Sequence, residues 1–264
     1  MGSGERGGGS DPQLPTPNPP LANVFAAVRS VLTYIVVSLY VLVAGPIALA
    51  IGVGLKNKTA LYVPGHIGVG LALGLAGIRY RVRGREHIPT DRAVVFCSNH
   101  ESNVDPPVLF QALHKRLHVL FKAELTKLPV LGAVMVAGGF VPVERDRREA
   151  SMASIDRAAE SIRAGNSFLI FPEGTRSRTD ELLPFKKGGF IMAIKAQSPI
   201  VPVAVSGGRS AMQKGSWFVR PVMVDVKIGE PVETAGLSLD DRDELIEIVR
   251  AKIEDLRRSE APQP

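Results

Sequence analysis

His100 and Asp105 stand five residues apart in "VVFCSNHESNVDPPVLF", residues 94 to 110. An imidazole is a good general base near neutral pH because its ordinary pKa is about 6.5. It needs one fixed tautomer, which a carboxylate bonded to one ring nitrogen supplies. A chain that turns at Pro106-Pro107 and enters a helix brings the two together. Taken alone, the spacing fits loop decoration better than an acid/base pair. A second stretch, "FPEGTRSR" (171 to 178), runs from a buried strand into Glu173, Gly174, Thr175 and Arg176. Gly174 lets backbone approach a ligand closely, and Arg176 offers a planar fork of donors for phosphate. An exposed turn with a solvated arginine accounts for the same letters. Lys122 and Arg145 each follow an apolar run and could flank the same cleft as His100, but in isolation both read better as ordinary strand-end charges. Lys186 and Lys187 precede a Gly pair and read as surface lysines.

Short apolar runs alternate with helical stretches and would position these residues. Strands are expected near 78–84, 93–98, 118–122, 140–145, 167–172, 200–206 and 222–229. Helices are expected over "REASMASIDRAAESIRAG", stopped at Gly165, and over 239–258. This alternation predicts an α/β layer. Pro202 inside a β-rich run predicts an edge or irregular strand. Cys97 reads as a small core residue. His114 and His118 read as packing or surface residues, because no third ligand stands near them.

Two uncharged runs precede this layer, Ser30 to Leu55 and Thr59 to Ile78. Each is long enough to cross a bilayer, which takes about 20 apolar residues; a pair of buried helices in a soluble core is the alternative. The second holds five Gly, a Pro and His66, and reads as the weaker helix. The basic cluster from Arg79 to Arg85 places the bulk of the chain on the cytoplasmic side. Residues 1–20, rich in Gly, Ser and Pro, read as a disordered tail. The expected organisation is a tail (1–20), a membrane-anchoring helical region (21–78) and a catalytic domain (79–264).

The net charge of +6 suits anionic lipid or phosphorylated substrates. Aromatic residues make up only 6%, and no long basic block is present, which disfavours nucleic acid. One cysteine excludes an intrachain disulfide and a cysteine-based zinc cage. No Gly-x-Ser-x-Gly elbow, Walker loop or dinucleotide fingerprint occurs. No metal or cofactor is expected.

In combination the blocks resemble the glycerolipid acyltransferases. Asn99, His100, Ser102 and Asp105 match that family's Asn-His-x-Ser-x-x-Asp. Lys122, Glu124, Leu125, Pro129, Gly132 and Arg145 resemble its second block. Phe171 to Ser177 matches Phe-Pro-Glu-Gly-Thr-Arg-Ser, Phe185 to Gly188 matches Phe-Lys-x-Gly, and Ile200 to Val203 resembles the hydrophobic-Val-Pro-Val run. The resemblance implies a mixed sheet flanked by helices, with an apolar membrane-associated helix pair at its N-terminal side. It implies acyl transfer from an acyl thioester, on coenzyme A or acyl carrier protein, to the sn-2 hydroxyl of 1-acylglycerol 3-phosphate. Another lysolipid or glycerol 3-phosphate is the alternative acceptor. His100 would be the general base and Asp105 its orienting partner. Asn99, Ser102, Lys122, Arg145, Glu173, Gly174, Thr175 and Arg176 would bind substrate, with membrane lipids as the surrounding partner. The cell membrane is the implied location, with the catalytic domain on its cytoplasmic face.

Overall fold

The computed structural model describes residues 20–55, 59–114, 116–144, 148–212 and 215–259. Residues 1–19 of the expected tail and Arg145 lie outside that set. Seven strands form one sheet: β1 (Ile78–Arg83), β2 (Val95–Ser98), β3 (Leu117–Lys122), β4 (Val141–Val143), β5 (Ser167–Ile170), β6 (Ile200–Ser206) and β7 (Val222–Ile228). Their order is β1-β7-β6-β2-β5-β3-β4. All seven fall where the apolar runs predict them. Strands buried on both faces read as continuous Val/Ile/Leu/Phe runs, and β2 and β5 are buried at every position.

Every neighbouring pair is parallel except β6 and β7, which run antiparallel. The parallel strands β2, β3, β4, β5 and β6 therefore end on one edge of the sheet. Because of the single reversal, β1 and β7 begin on that edge. Open α/β sheets bind ligands outside the carboxyl ends of their strands, and the chemistry-bearing residues follow β2, β3, β5 and β6.

Alternate residues supply the two faces. Phe96, Leu169, Val201 and Val203 join a core with α2 (Thr59–Ala76) and α3 (Asp105–Ala112). Val95, Cys97, Phe168 and Ile170 join a second core with α5 (Arg148–Arg163), α6 (Gly188–Ala196) and α8 (Arg242–Arg258). Cys97 is fully buried, as expected, and burial pushes its thiol well above the ordinary range.

Pro202 corrects one expectation. It lies in β6, an interior strand flanked by β2 and β7, not at an edge. Proline is tolerated there because the ladder slips. Val203 pairs with Ile228, while Ile200 pairs with Val232, so three residues oppose two. The Pro202 carbonyl accepts from the Gly229 amide (2.9 Å), and the missing proline N–H falls at the slip. The irregular half of the expectation holds.

The apolar runs form α1 (Pro20–Gly54) and α2, both long and apolar enough to cross a membrane. Glycines let them pack closely: a Cβ at Gly68 would meet Tyr40 at 2.6 Å, and one at Gly52 would meet Leu61 at 2.8 Å. Their outer surface shows Phe25, Leu32, Leu39 and Ile47 to the exterior. The helix α1 is fastened to the sheet domain at two separated places. Ser30 Oγ accepts from the Val219 amide (2.7 Å) and the Tyr34 hydroxyl donates to the Trp217 carbonyl (2.8 Å). Farther along, Gly45 is covered by Val130, just before α4 (Leu131–Ala137). These attachments are about 22 Å apart along the helix axis, at 1.5 Å per residue, so α1 lies across the domain.

Candidate active site

Asn99 leaves the end of β2, and its side chain copies a backbone pair. Its amide nitrogen donates to the Val205 carbonyl (2.9 Å), and its oxygen accepts from the Val205 amide (2.7 Å). This staples the start of the turn to β6. The turn then closes through Asp105 N–H to the Ser102 carbonyl (3.2 Å), which swings Asp105 back beneath His100. The prolines after Asp105 sit in the first turn of α3, where no helical partner for their absent N–H is needed. The Asp105 carboxylate thus stands in the first turn of α3.

His100 Nδ1 donates to Asp105 Oδ2 at 2.8 Å. The same oxygen accepts from the amides of Glu101 (2.8 Å) and Ser102 (2.7 Å). Asp105 is fully buried, while the imidazole keeps 15% of its surface exposed. No hydrogen bond among the described residues engages Nε2, so the outward nitrogen is left for proton transfer. The ring stacks on Phe171, 4.3 Å between centroids.

The segment after β5 is bolted to this turn from both sides. Glu173 Oε1 accepts from the His100 amide (2.8 Å), and its Oε2 accepts from the Leu183 amide (2.9 Å). The Ser177 amide returns a bond to the His100 carbonyl (2.8 Å). Both backbone polar groups of His100 are thus held by the 171–177 segment. Burial holds the Glu173 carboxyl above its ordinary range, opposed by its two backbone amide bonds.

The residues nominated from sequence fall into two groups. Asn99, Ser102, Asp105 and Glu173 are buried and bonded inward, with Ser102 Oγ donating to the Met212 carbonyl (2.9 Å). Gly174 (φ +67°), exposed Thr175 and half-buried Arg176 form the outer lip. A Cβ on Gly174 would meet the Lys186 side chain at 2.8 Å, so the glycine seats that lysine against the lip. Lys122 ends β3 on the same edge, with its side chain 58% exposed and paired with Glu124 at 2.9 Å. No hydrogen bond among the described residues joins Lys122 to His100. Lys187 pairs with Asp243 away from the turn.

Sequence reasoning passed over Gly208 and Arg209, which follow β6. A Cβ at Gly208 would stand 2.5 Å from Asp105 Oδ1 and 3.2 Å from Ser102 Cβ. The Arg209 amide donates to Glu101 Oε1 (3.3 Å), and its guanidinium lies 3.7 Å from Glu101 Oε2. The guanidinium also reaches Asp180 (2.6 Å) and the Thr179 carbonyl. One side chain therefore clasps the segment after Ser177 to the catalytic turn. Glycine beside an arginine after an apolar strand is too common a pattern to have flagged either residue. Among the described residues, no cluster of three or more His, Cys, Asp or Glu could hold a metal ion.

Residues 79–206 match the Acyltransferase family model. The chain is 33% identical over 186 residues to the 1-acyl-sn-glycerol-3-phosphate acyltransferase of Limnanthes douglasii, covering 70% of this chain and 66% of the relative. It is 35% identical over 172 residues to the beta form from Homo sapiens, covering 65% of this chain and 62% of that protein. The match therefore spans slightly less than two thirds of these relatives' length. The crystal structure of the 1-acyl-sn-glycerophosphate (LPA) acyltransferase PlsC from Thermotoga maritima superposes with a TM-score of 0.77. The superposition has 26% identity and covers 91% of this chain and 100% of the other.

Proposed function

We propose that this chain is a glycerolipid acyltransferase that moves a fatty acyl group from an acyl thioester to the sn-2 hydroxyl of 1-acylglycerol 3-phosphate, forming phosphatidic acid. The observation that carries the reading is the 2.8 Å bond from His100 Nδ1 to a buried Asp105 held by two further amides. It fixes the tautomer whose Nε2 accepts a proton. Nε2 removes the hydroxyl proton as the lipid oxygen attacks the thioester carbonyl. The tetrahedral adduct collapses, the C–S bond breaks, and the imidazolium returns its proton to the departing thiolate. Ester and free thiol are the products, and no acyl-enzyme forms.

General-base assistance supplies roughly 10²- to 10⁴-fold in rate, and positioning two bound substrates supplies roughly 7 to 11 kcal/mol. The anchors therefore matter as much as the base. Arg176, Thr175 and Lys186 form a cationic lip for the acceptor phosphate, and Lys122 adds positive field farther along the edge. Asn99, Ser102 and Glu173 act as positioning residues, since their polar atoms are spent on protein. The acyl donor is coenzyme A or acyl carrier protein. In this reading residues 79–264 are the catalytic domain. The helix pair holds its strand-end edge at the cytoplasmic face of the cell membrane, where both lipid substrates lie.

Purified protein given labelled acyl-CoA or acyl carrier protein thioester, with lysophosphatidic acid, other lysolipids and glycerol 3-phosphate in parallel, tests this. Phosphatidic acid as the dominant product is expected. Acylation of a phosphate-free acceptor at an equal rate contradicts the role of the lip.

A further inference from the structure

Arg29 and Arg79 line one hollow of about 580 Å³ at the start of β1 and β7, together with Gly77, Pro221, Val222 and Met223. Neither guanidinium makes an ion pair or hydrogen bond among the described residues. The rest of the lining is uncharged, so two cations share a cavity without a counter-charge. Both guanidiniums are exposed to solvent at the mouth of this open hollow, within reach of an incoming anion, and the guanidinium fork matches phosphate oxygens. The Arg29 guanidinium lies over Gly77, where a Cβ would stand 2.5 Å from Nη1. Glycine at that position leaves it room.

The surroundings identify the kind of anion. Residues four before and three after a helical position share its face. For Arg29 these are Phe25 and Leu32, 72% and 52% exposed. A ligand seated on Arg29 therefore meets an apolar wall directly beside its phosphate. Trp217, stacked on Phe218, is 50% exposed, and Tyr34 is bonded to its carbonyl. Exposed Trp and Tyr gather where a membrane meets water. The hollow is on the strand-end edge but lies at β7 and β1, across β6 from His100, so it is separate from the cationic lip at Arg176.

We infer that this hollow binds the phosphate of an anionic phospholipid, with the acyl chains against α1, and so sets the edge that carries His100 at headgroup depth. The inference rests on the membrane reading of α1 and not on the acyl-transfer chemistry.

Trp217 is the only tryptophan in the chain, so its emission reports on the neighbouring hollow. The full chain in neutral detergent is titrated with dihexanoyl phosphatidylglycerol, dihexanoyl phosphatidylcholine or inorganic phosphate. Phosphatidylglycerol should give a saturable emission shift, with much weaker responses to the other two. Arg29→Gln/Arg79→Gln should weaken that binding by about tenfold or more, the scale of losing charge-assisted bonds. Arg29→Lys/Arg79→Lys should retain most of it and controls for folding. Arg83→Gln/Arg85→Gln, at the opposite end of β1, should leave it unchanged. So should Arg176→Ala, which separates this site from the substrate lip. Unchanged binding in the Arg29→Gln/Arg79→Gln protein overturns the site. An equal loss in the Arg83→Gln/Arg85→Gln protein reduces it to general charge attraction. Inorganic phosphate binding as tightly as phosphatidylglycerol overturns the lipid assignment, and loss in Arg176→Ala assigns the signal to the lip.

Discussion

Asn99, Ser102, Asp105 and Glu173 are buried and bond inward to backbone or to His100, whereas Thr175 and Lys122 reach solvent from the same edge of the sheet. Residues of both kinds sit in the same short sequence blocks. The buried set builds a rigid mount for one imidazole; the exposed set forms a charged rim. The mount should fail through rate, because it fixes geometry that matters in the transition state. The rim should fail through substrate affinity, because it holds groups that do not react.

The largest expected effect is in the mount. Asp105→Asn keeps an oxygen for the Glu101 and Ser102 amides but removes the charge facing the imidazolium. The turnover number should fall by roughly 10²- to 10⁴-fold, the range of general-base assistance, with KM for either substrate little changed. A KM effect of the same size would place Asp105 in binding. Gly208→Ala should come next, since its methyl would stand 2.5 Å from Asp105 Oδ1. A fall of about tenfold or more in turnover is expected, because small misplacements near the chemistry are costly. Full activity in Gly208→Ala would show that the mount has slack.

Arg176→Ala tests the rim. The apparent KM for a phosphate-bearing acceptor should rise about tenfold, the scale of a lost charge-assisted bond, with little change for the acyl donor. Equal changes for both would dissolve the distinction between mount and rim. Arg209→Gln lies between the two regions and should lower turnover several-fold, with partial recovery in Arg209→Lys. Absence of any difference between those two variants would remove the clasp from the account.

The smallest effect concerns Glu101. Burial first, and the Asp105 charge second, hold its carboxyl above the ordinary value near 4.5. The folded chain keeps this proton to higher pH than the unfolded chain does. The associated stability is full below the ordinary value and is lost as pH rises through the raised one. Thermal unfolding in detergent from pH 4 upward should therefore show a decline that is shallower in Glu101→Gln. Identical slopes would mean that Arg209 neutralises Glu101 fully.

Much of this arrangement was legible in the residues alone. The strands announced themselves in two ways: β2 and β5, buried at every position, as uninterrupted apolar runs, and β1, half-buried, as an alternation of Ile78, Tyr80 and Val82 with arginines. The meeting of His100 with Asp105 was foreseeable from the prolines that start α3. Which block residues face substrate was not foreseeable. A buried Glu173 and an exposed Thr175 are two letters apart, and only the amides of His100 and Leu183 tell them apart. Arg209 was invisible because its partner Glu101 lies 108 residues away. Pro202 misled in part, because a one-residue slip against β7 cannot be read from one strand.

The most direct test of the central claim sets wild type beside His100→Ala, purified in detergent, with labelled acyl-CoA and lysophosphatidic acid. The account predicts labelled phosphatidic acid from wild type and a loss of roughly 10²-fold or more in the variant, with unfolding temperature and acceptor affinity retained. Phosphatidic acid formed by both proteins at comparable rates would contradict the assignment of His100 as the base.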